Sequence, residues 1–181
     1  MLAAIKKNEN IAEHLLYMWQ IEDLIRANNL DIDLIQKNIL DQYSSRPQSE
    51  IRQMREWYES LIDMMRSEGV EKNGHLQINK NIIGELADLS QRLLNNPKYT
   101  TFANQYYATL PIIVELRAKS DPGNIPGEIE ACFNALYGIL LLRLQHKEVS
   151  AQTQAAAAQI SKFLASLAAY YKKDSNNQLD I

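Results

Sequence analysis

The residues best placed to do chemistry lie in the opening amphipathic stretch of the chain. Projected at about 100° per residue, as an α-helix requires, Glu22 and Arg26 fall within the apolar arc of Ile11, Leu15, Met18, Trp19 and Ile25. Asp23 lies at one flank of that arc and His14 at the other. Glu22 and Arg26 are one turn apart, in the acid-before-base order that favours a helical ion pair. An unpaired charge on an apolar face costs on the order of several kcal/mol, so such charges must be paired or must line a cavity. Three readings follow: an internal Glu22–Arg26 salt bridge that fixes helix register, the polar edge of an intersubunit surface, or a ligand-facing or catalytic pair. The first demands the fewest assumptions. His14, Trp19, Glu22, Asp23 and Arg26 are therefore the candidate ligand-binding or buried polar network. A secondary group is Tyr99, Tyr106 and Tyr107. Tyrosine joins an apolar body to a polar tip, which suits a pocket or an interface, although packing at the edge of a core explains it more simply.

Other chemistry finds little support. Neither GxxxxGK[ST], GxGxxG nor GxSxG occurs, so a phosphate-cradling turn and a nucleophile elbow have no basis. The three histidines, His14, His75 and His146, form no HExxH or Glu-x-x-His pair, which a zincin or a di-iron bundle would need. Glu71 and His75 are four apart but flank a glycine-containing loop, where a surface pair is expected rather than a metal site. No catalytic residue, metal or cofactor is expected. Arg46, Arg52 and Arg55 lie near Trp57 and Tyr58, as a strand-tracking, base-stacking surface requires. Glu50, Glu56 and Glu59 interleave with them and cancel the charge.

The elements that position these residues read as seven helices. Asn10 to Ala27 forms the first and Asp31 to Gln42 the second, with a corner at Asn28-Asn29 and Asp31 as N-cap. The third follows Pro47 and stops at Gly69, burying a stripe of Ile51, Met54, Tyr58, Leu61, Ile62 and Met65. The fourth, Leu76 to Asn95, places Ile78, Ile82, Leu86, Leu89 and Leu93 on one side. Asn96-Pro97 opens the fifth, in which Pro111 predicts a kink or break near Ala108. After the loop of Ser120 to Gly127, the sixth helix is apolar almost all round, apart from a strip of Asn134, Gly138 and Gln145. That pattern predicts a central position. Ser150 caps the seventh, whose stripe is Ile160, Phe163, Leu164, Leu167 and Tyr171, with alanines at 155 to 158 that permit close helix approach.

No run of alternating apolar and polar residues supports a strand, so the fold class is all-α, a single-domain orthogonal or bundle-like array over residues 1–173. Residues 174–181 read as a polar, disordered tail. The 181 residues, 46% hydrophobic, suffice for a core without disulfides. The single cysteine, Cys132, sits in an apolar run and reads as a reduced, buried thiol. A formal charge of −3 leaves no footprint for nucleic acid. Residues 1–90 carry 10 basic and 15 acidic groups, and residues 91–181 carry 9 and 7, an asymmetry too mild to name a partner. Met1 to Asn10 lacks the apolar core of a secretory signal, and Ala131 to Leu142 is shorter than the roughly 20 residues that span a bilayer. A cytoplasmic location is expected.

The stretch Glu9-Asn10-Ile11-Ala12-Glu13-His14-Leu15-Leu16-Tyr17-Met18-Trp19-Gln20-Ile21-Glu22-Asp23-Leu24-Ile25-Arg26, followed by Asn29-Leu30-Asp31, resembles the opening of an uncharacterised family of small helical proteins of Bacteroidota. The resemblance extends through Glu56-Trp57-Tyr58 and weakens in the alanine-rich last helix. It implies a single intracellular helical domain and carries no activity, cofactor or site residue with it. The leading functional expectation is a non-enzymatic interaction or regulatory module, homodimeric or bound to another protein. The alternatives are a small-molecule binder or enzyme with a cleft at Trp19, Glu22, Arg26 and the tyrosines, and a nucleic-acid binder using the third helix.

Overall fold

The computed structural model describes residue 7 and residues 9–179. Expectations for the first residues and for the last two fall outside that range. Among the described residues the chain is all-α, with seven α-helices and no strand. They are α1 (Ile11–Ala27), α2 (Ile32–Asn38), α3 (Gln48–Ser67), α4 (Gln77–Leu94), α5 (Thr100–Ala118), α6 (Glu128–Leu144) and α7 (Ala151–Ser175). Short 3-10 turns at Leu40–Tyr43 and Pro97–Tyr99 link α2 to α3 and α4 to α5.

The helix boundaries follow local chemistry. Asn10 Oδ1 accepts from the backbone N–H groups of Ala12 and Glu13, which satisfies donors that have no partner inside α1. Asp31 does the same for Asp33 and Leu34 at the start of α2. Asn96 caps the 3-10 turn that precedes α5, and Ser150 caps α7 through Thr153 N–H. The corner after α1 turns on two left-handed residues, Asn29 (φ 55°) and Leu30 (φ 56°). Asparagine tolerates that conformation; a leucine there is strained.

The described residues fall into two compact units, and the division passes within α1 and within α4. The first unit spans residues 17–81. Its core joins Met18, Ile21 and Ile25 of α1 to Ile35, Leu40 and the inner stripe of α3. That stripe is buried as the sequence predicts at Ile51, Tyr58, Leu61, Ile62 and Met65. Met54 is only half-buried.

The second unit holds residues 9–16 and the described residues from 82 onward. Within it α5, α6 and α7 pack on one another as a three-helix group around Phe102, Ile113, Phe133, Ile160 and Phe163. Cys132 is free and buried, as its apolar context predicts.

Three sequence expectations need correction. Pro111 does not break α5, which continues through it from Thr100 to Ala118. Proline removes the donor to the carbonyl of Tyr107, and Tyr107 is exposed, so water can replace the lost bond. Ile78 is not on the inner stripe of α4 but 44% exposed. The buried run is Asn79, Ile82, Leu86, Leu89 and Leu93, whose 3-4-3-4 spacing puts an amide, not an isoleucine, at its start. Finally, only the first half of α6 is enclosed, at Ile129, Ala131, Cys132, Phe133 and Tyr137. Residues 138–142 are half-buried and Leu144 is exposed.

Candidate functional site

Glu22 has no exposed surface. Its carboxylate accepts three hydrogen bonds, which compensate the cost of burying an acidic group. Oε1 receives the backbone N–H of Leu76 at 2.9 Å and Nδ2 of Asn79 at 2.6 Å, while Oε2 lies 2.5 Å from Nδ1 of His75. A carboxylate acceptor assigns the imidazole proton to Nδ1. The His75 ring stacks flat on Trp19, centroids 4.0 Å apart and planes within 10°. Three groups at or just before the start of α4 (His75, the Leu76 amide and Asn79) thus converge on one α1 side chain. Donors at a helix N-terminus favour an anion on both hydrogen-bonding and dipole grounds.

Arg26 takes a different route from the expected one. It bonds Asp23 Oδ1 at 2.8 Å and the carbonyl of Val70 at 3.0 Å, and it also donates to the carbonyl of Gly74. The expected Glu22–Arg26 salt bridge does not form. Glu22 turns toward the head of α4, and Arg26 toward the loop before it. Glu71 is likewise not the partner of His75; Glu22 is. The loop makes this possible because Gly74 adopts φ 83°, a conformation that side chains disfavour, and so presents its carbonyl to the guanidinium. Arg26 Nε and Asn79 Oδ1 are buried without a hydrogen-bond partner.

Trp19, Glu22, Asp23 and Arg26 belong to the first unit with His75 and Asn79, whereas His14 belongs to the second. The tyrosines also lie in the second unit, where Tyr106 and Tyr107 pack edge-on to each other with ring centroids 5.3 Å apart. Tyr99 packs edge-on to Tyr170. Tyr106 is buried against Phe163, and its hydroxyl donates to Glu128 at 2.8 Å. Burial first, then that bond, pushes the Tyr106 phenol up to about 12. Tyr107 is 61% exposed. Among the described residues, no group of three or more His, Cys, Asp or Glu side chains could hold a metal. Burial, reinforced by Glu128, pushes the Cys132 thiol up to about 12, which suits a packing group and not a nucleophile.

A second feature of the second unit is an open apolar groove of about 510 Å³ walled by α5, α6 and α7. Ile112 and Leu116 form one wall, Ile139 and Leu142 another, and Ala156 and Ile160 the third. The polar strip Asn134, Gly138 and Gln145 opens onto it. A methyl group added at Gly138 meets nothing within 4 Å, so the groove is unfilled there.

A family model described as a domain of unknown function, DUF4924, matches residues 1–178. The chain belongs to that family. No curated protein matches the DUF4924 chain, and no solved structure does. No helix among its described residues is long and apolar enough to cross a membrane.

Sequence reasoning placed Glu22 of this DUF4924 protein in the apolar arc but missed His75 and Asn79. The Asn79 signal was present, in the 3-4-3-4 run it shares with Ile82, Leu86, Leu89 and Leu93. His75 had none, since nothing local ties it to a residue 53 positions earlier.

Proposed function

We propose that this chain is a non-enzymatic helical interaction module that works in the cytoplasm of a bacterium, as the resemblance to Bacteroidota proteins implies. Its partner is another protein or a second copy of itself. The observation that carries this reading is the apolar groove of α5, α6 and α7, open along residues that a self-contained helical unit would cover. Its walls are aliphatic, with few polar groups to orient a small molecule, and that composition suits the apolar face of a helix.

The Glu22 cluster argues against the enzyme reading. Every oxygen of its carboxylate is engaged by donors from the loop and helix that it fastens. Nucleic-acid binding through α3 is disfavoured by local charge cancellation. Arg46 pairs with Glu50, Arg55 with Asp33 and Glu59, and Arg66 with Asp63. Tyr58 is buried and Trp57 packs against the core, so neither is presented for base stacking.

The test is site-specific photocrosslinking in cells. A photoreactive residue at Ile139 should give a discrete adduct that the same residue at exposed Gln152 does not. Gly138→Leu should abolish that adduct, because it fills the groove from a position with open space above it. No adduct at Ile139 above the Gln152 background would end the reading.

A further inference from the structure

Glu22 commits both carboxylate oxygens to the head of α4, but His75 commits only one of its two ring nitrogens in return. Nδ1 faces Glu22 Oε2 at 2.5 Å and carries the ring proton, so the lone pair of the neutral imidazole sits on Nε2. Among the described residues nothing bonds Nε2, and the His75 side chain is 24% exposed. The ring is nonetheless held. Trp19 stacks flat on one face, and Glu22 is itself fixed by the Leu76 amide and Asn79. Arg26 ties down the carbonyls of Val70 and Gly74 in the loop just before His75. The chain is exposed from Glu71 to Gly74 and again at Gln77 and Ile78, so another molecule can reach the nitrogen. Fastening Glu22 requires an N–H donor. It does not require an oriented lone pair left open to solvent.

We propose that His75 is a phosphoryl-acceptor site, modified at Nε2 by a donor of the acyl phosphate or phosphoramidate class. The Nε2 lone pair attacks phosphorus and an N–P bond forms. The donor's own bond to phosphorus breaks, and its electron pair leaves with the donor, as a carboxylate in the case of an acyl phosphate. Nδ1 keeps its proton, so the ring becomes a cation as the N–P bond forms. That charge develops beside a carboxylate that already accepts from Nδ1 and has no exposed surface, where electrostatic stabilisation is strongest. Glu22 is thus a positioning residue, and it stays fastened throughout. An open surface suits a phosphoryl better than an acyl group, because an N-acyl imidazole is quickly lost to water and an N-phosphoryl imidazole lasts longer. The phosphate adds about two negative charges, enough to recruit or repel a partner. His75 lies in the first unit and the groove in the second, so this proposal and the groove reading can fail separately.

The test treats the full chain with potassium phosphoramidate at mildly alkaline pH. Intact mass, peptide fragmentation and phosphorus NMR then follow each histidine. Exposed His146 is the internal benchmark, and His14 is buried. The first phosphoryl group should enter at His75 Nε2, at least about tenfold faster than at His146. Glu22→Gln should bring the His75 rate down to that of His146 and leave His146 unchanged, since an amide does not offset the ring's positive charge. Circular dichroism establishes that this variant is folded. In a second arm, wild type recovered from cells under alkaline conditions should carry acid-labile phosphate that His75→Gln lacks. A phosphoramidate-treated sample taken through the same steps serves as the recovery standard. A His75 that reacts no faster than His146 overturns the proposal without any variant. So does reaction at Nδ1, or a folded Glu22→Gln chain whose His75 rate is unchanged. Wild type from cells with no more phosphate than His75→Gln, while the standard survives, overturns it equally.

Discussion

At the scale of the residue, Glu22 is a fastener, and its energetics follow from what it leaves behind. Removing it orphans the Leu76 amide and the Asn79 side-chain amide, both deeply buried. Each buried donor left without an acceptor costs about 1–3 kcal/mol. Glu22→Ala should therefore lower unfolding free energy by about 2–4 kcal/mol, measured by urea denaturation. Glu22→Gln retains one carbonyl oxygen for those donors and should lose about half as much. A Glu22→Ala chain within about 0.5 kcal/mol of wild type would show that the cluster is solvated and slack. How much of this was legible is instructive. Helical projection put Glu22 in the apolar arc because the period of one helix is local information. Its partners were not legible, because the path of the chain between α3 and α4 decides which donors arrive. Arg26 was misread for the same reason. One turn of spacing made Glu22 its obvious partner, yet loop carbonyls at Val70 and Gly74 accepted its donors.

At the scale of the element, caps and stripes were readable wherever one short-range rule acted alone. Asp31, Asn96 and Ser150 cap as their positions demand. Local rules failed where burial decided the outcome. Proline at position 111 was expected to interrupt α5, but its outward face lets solvent substitute for the missing bond. That account has a consequence. Pro111→Ala restores an N–H donor to the Tyr107 carbonyl and removes the ring's clash with the preceding turn. Proline in a helix interior is about 3 kcal/mol worse than alanine, offset by the order of 1 kcal/mol that proline gains by restricting the unfolded chain. The variant should thus be more stable by about 2 kcal/mol, read as a higher urea midpoint with an unchanged slope. Equal or lower stability would mean that the helix already accommodates the ring without cost. The half-exposed C-terminal part of α6 teaches the complementary lesson. An apolar pattern on all sides of α6 did not fix how far its own chain would cover it, since burial ends after Tyr137.

At the scale of the whole molecule, each unit carries phenols that the fold keeps neutral. Tyr58 in the first unit is pushed up to about 12, chiefly by burial. In the second unit Tyr106, Tyr171 and Cys132 are pushed up to about 12, again by burial first, with Glu128 or Glu85 adding to it. In the unfolded chain these groups ionise near pH 10 for tyrosine and about pH 8.5 for cysteine. Between those values and about pH 12 the unfolded chain releases protons that the folded chain retains, so unfolding gains favour as pH rises. The stabilising contribution is complete below about pH 8.5 and disappears on passing upward through the folded-state values. Urea midpoints should accordingly be level from about pH 7 to 8.5 and decline steadily by about pH 11. Tyr58→Phe should flatten part of that decline, since phenylalanine has no proton to release. The ultraviolet tyrosinate signal should show the same coupling, with Tyr58, Tyr106 and Tyr171 ionising only as the chain unfolds. A midpoint that holds to about pH 11, or a tyrosinate signal from these three residues while the chain stays folded, would mean that water reaches these hydroxyls.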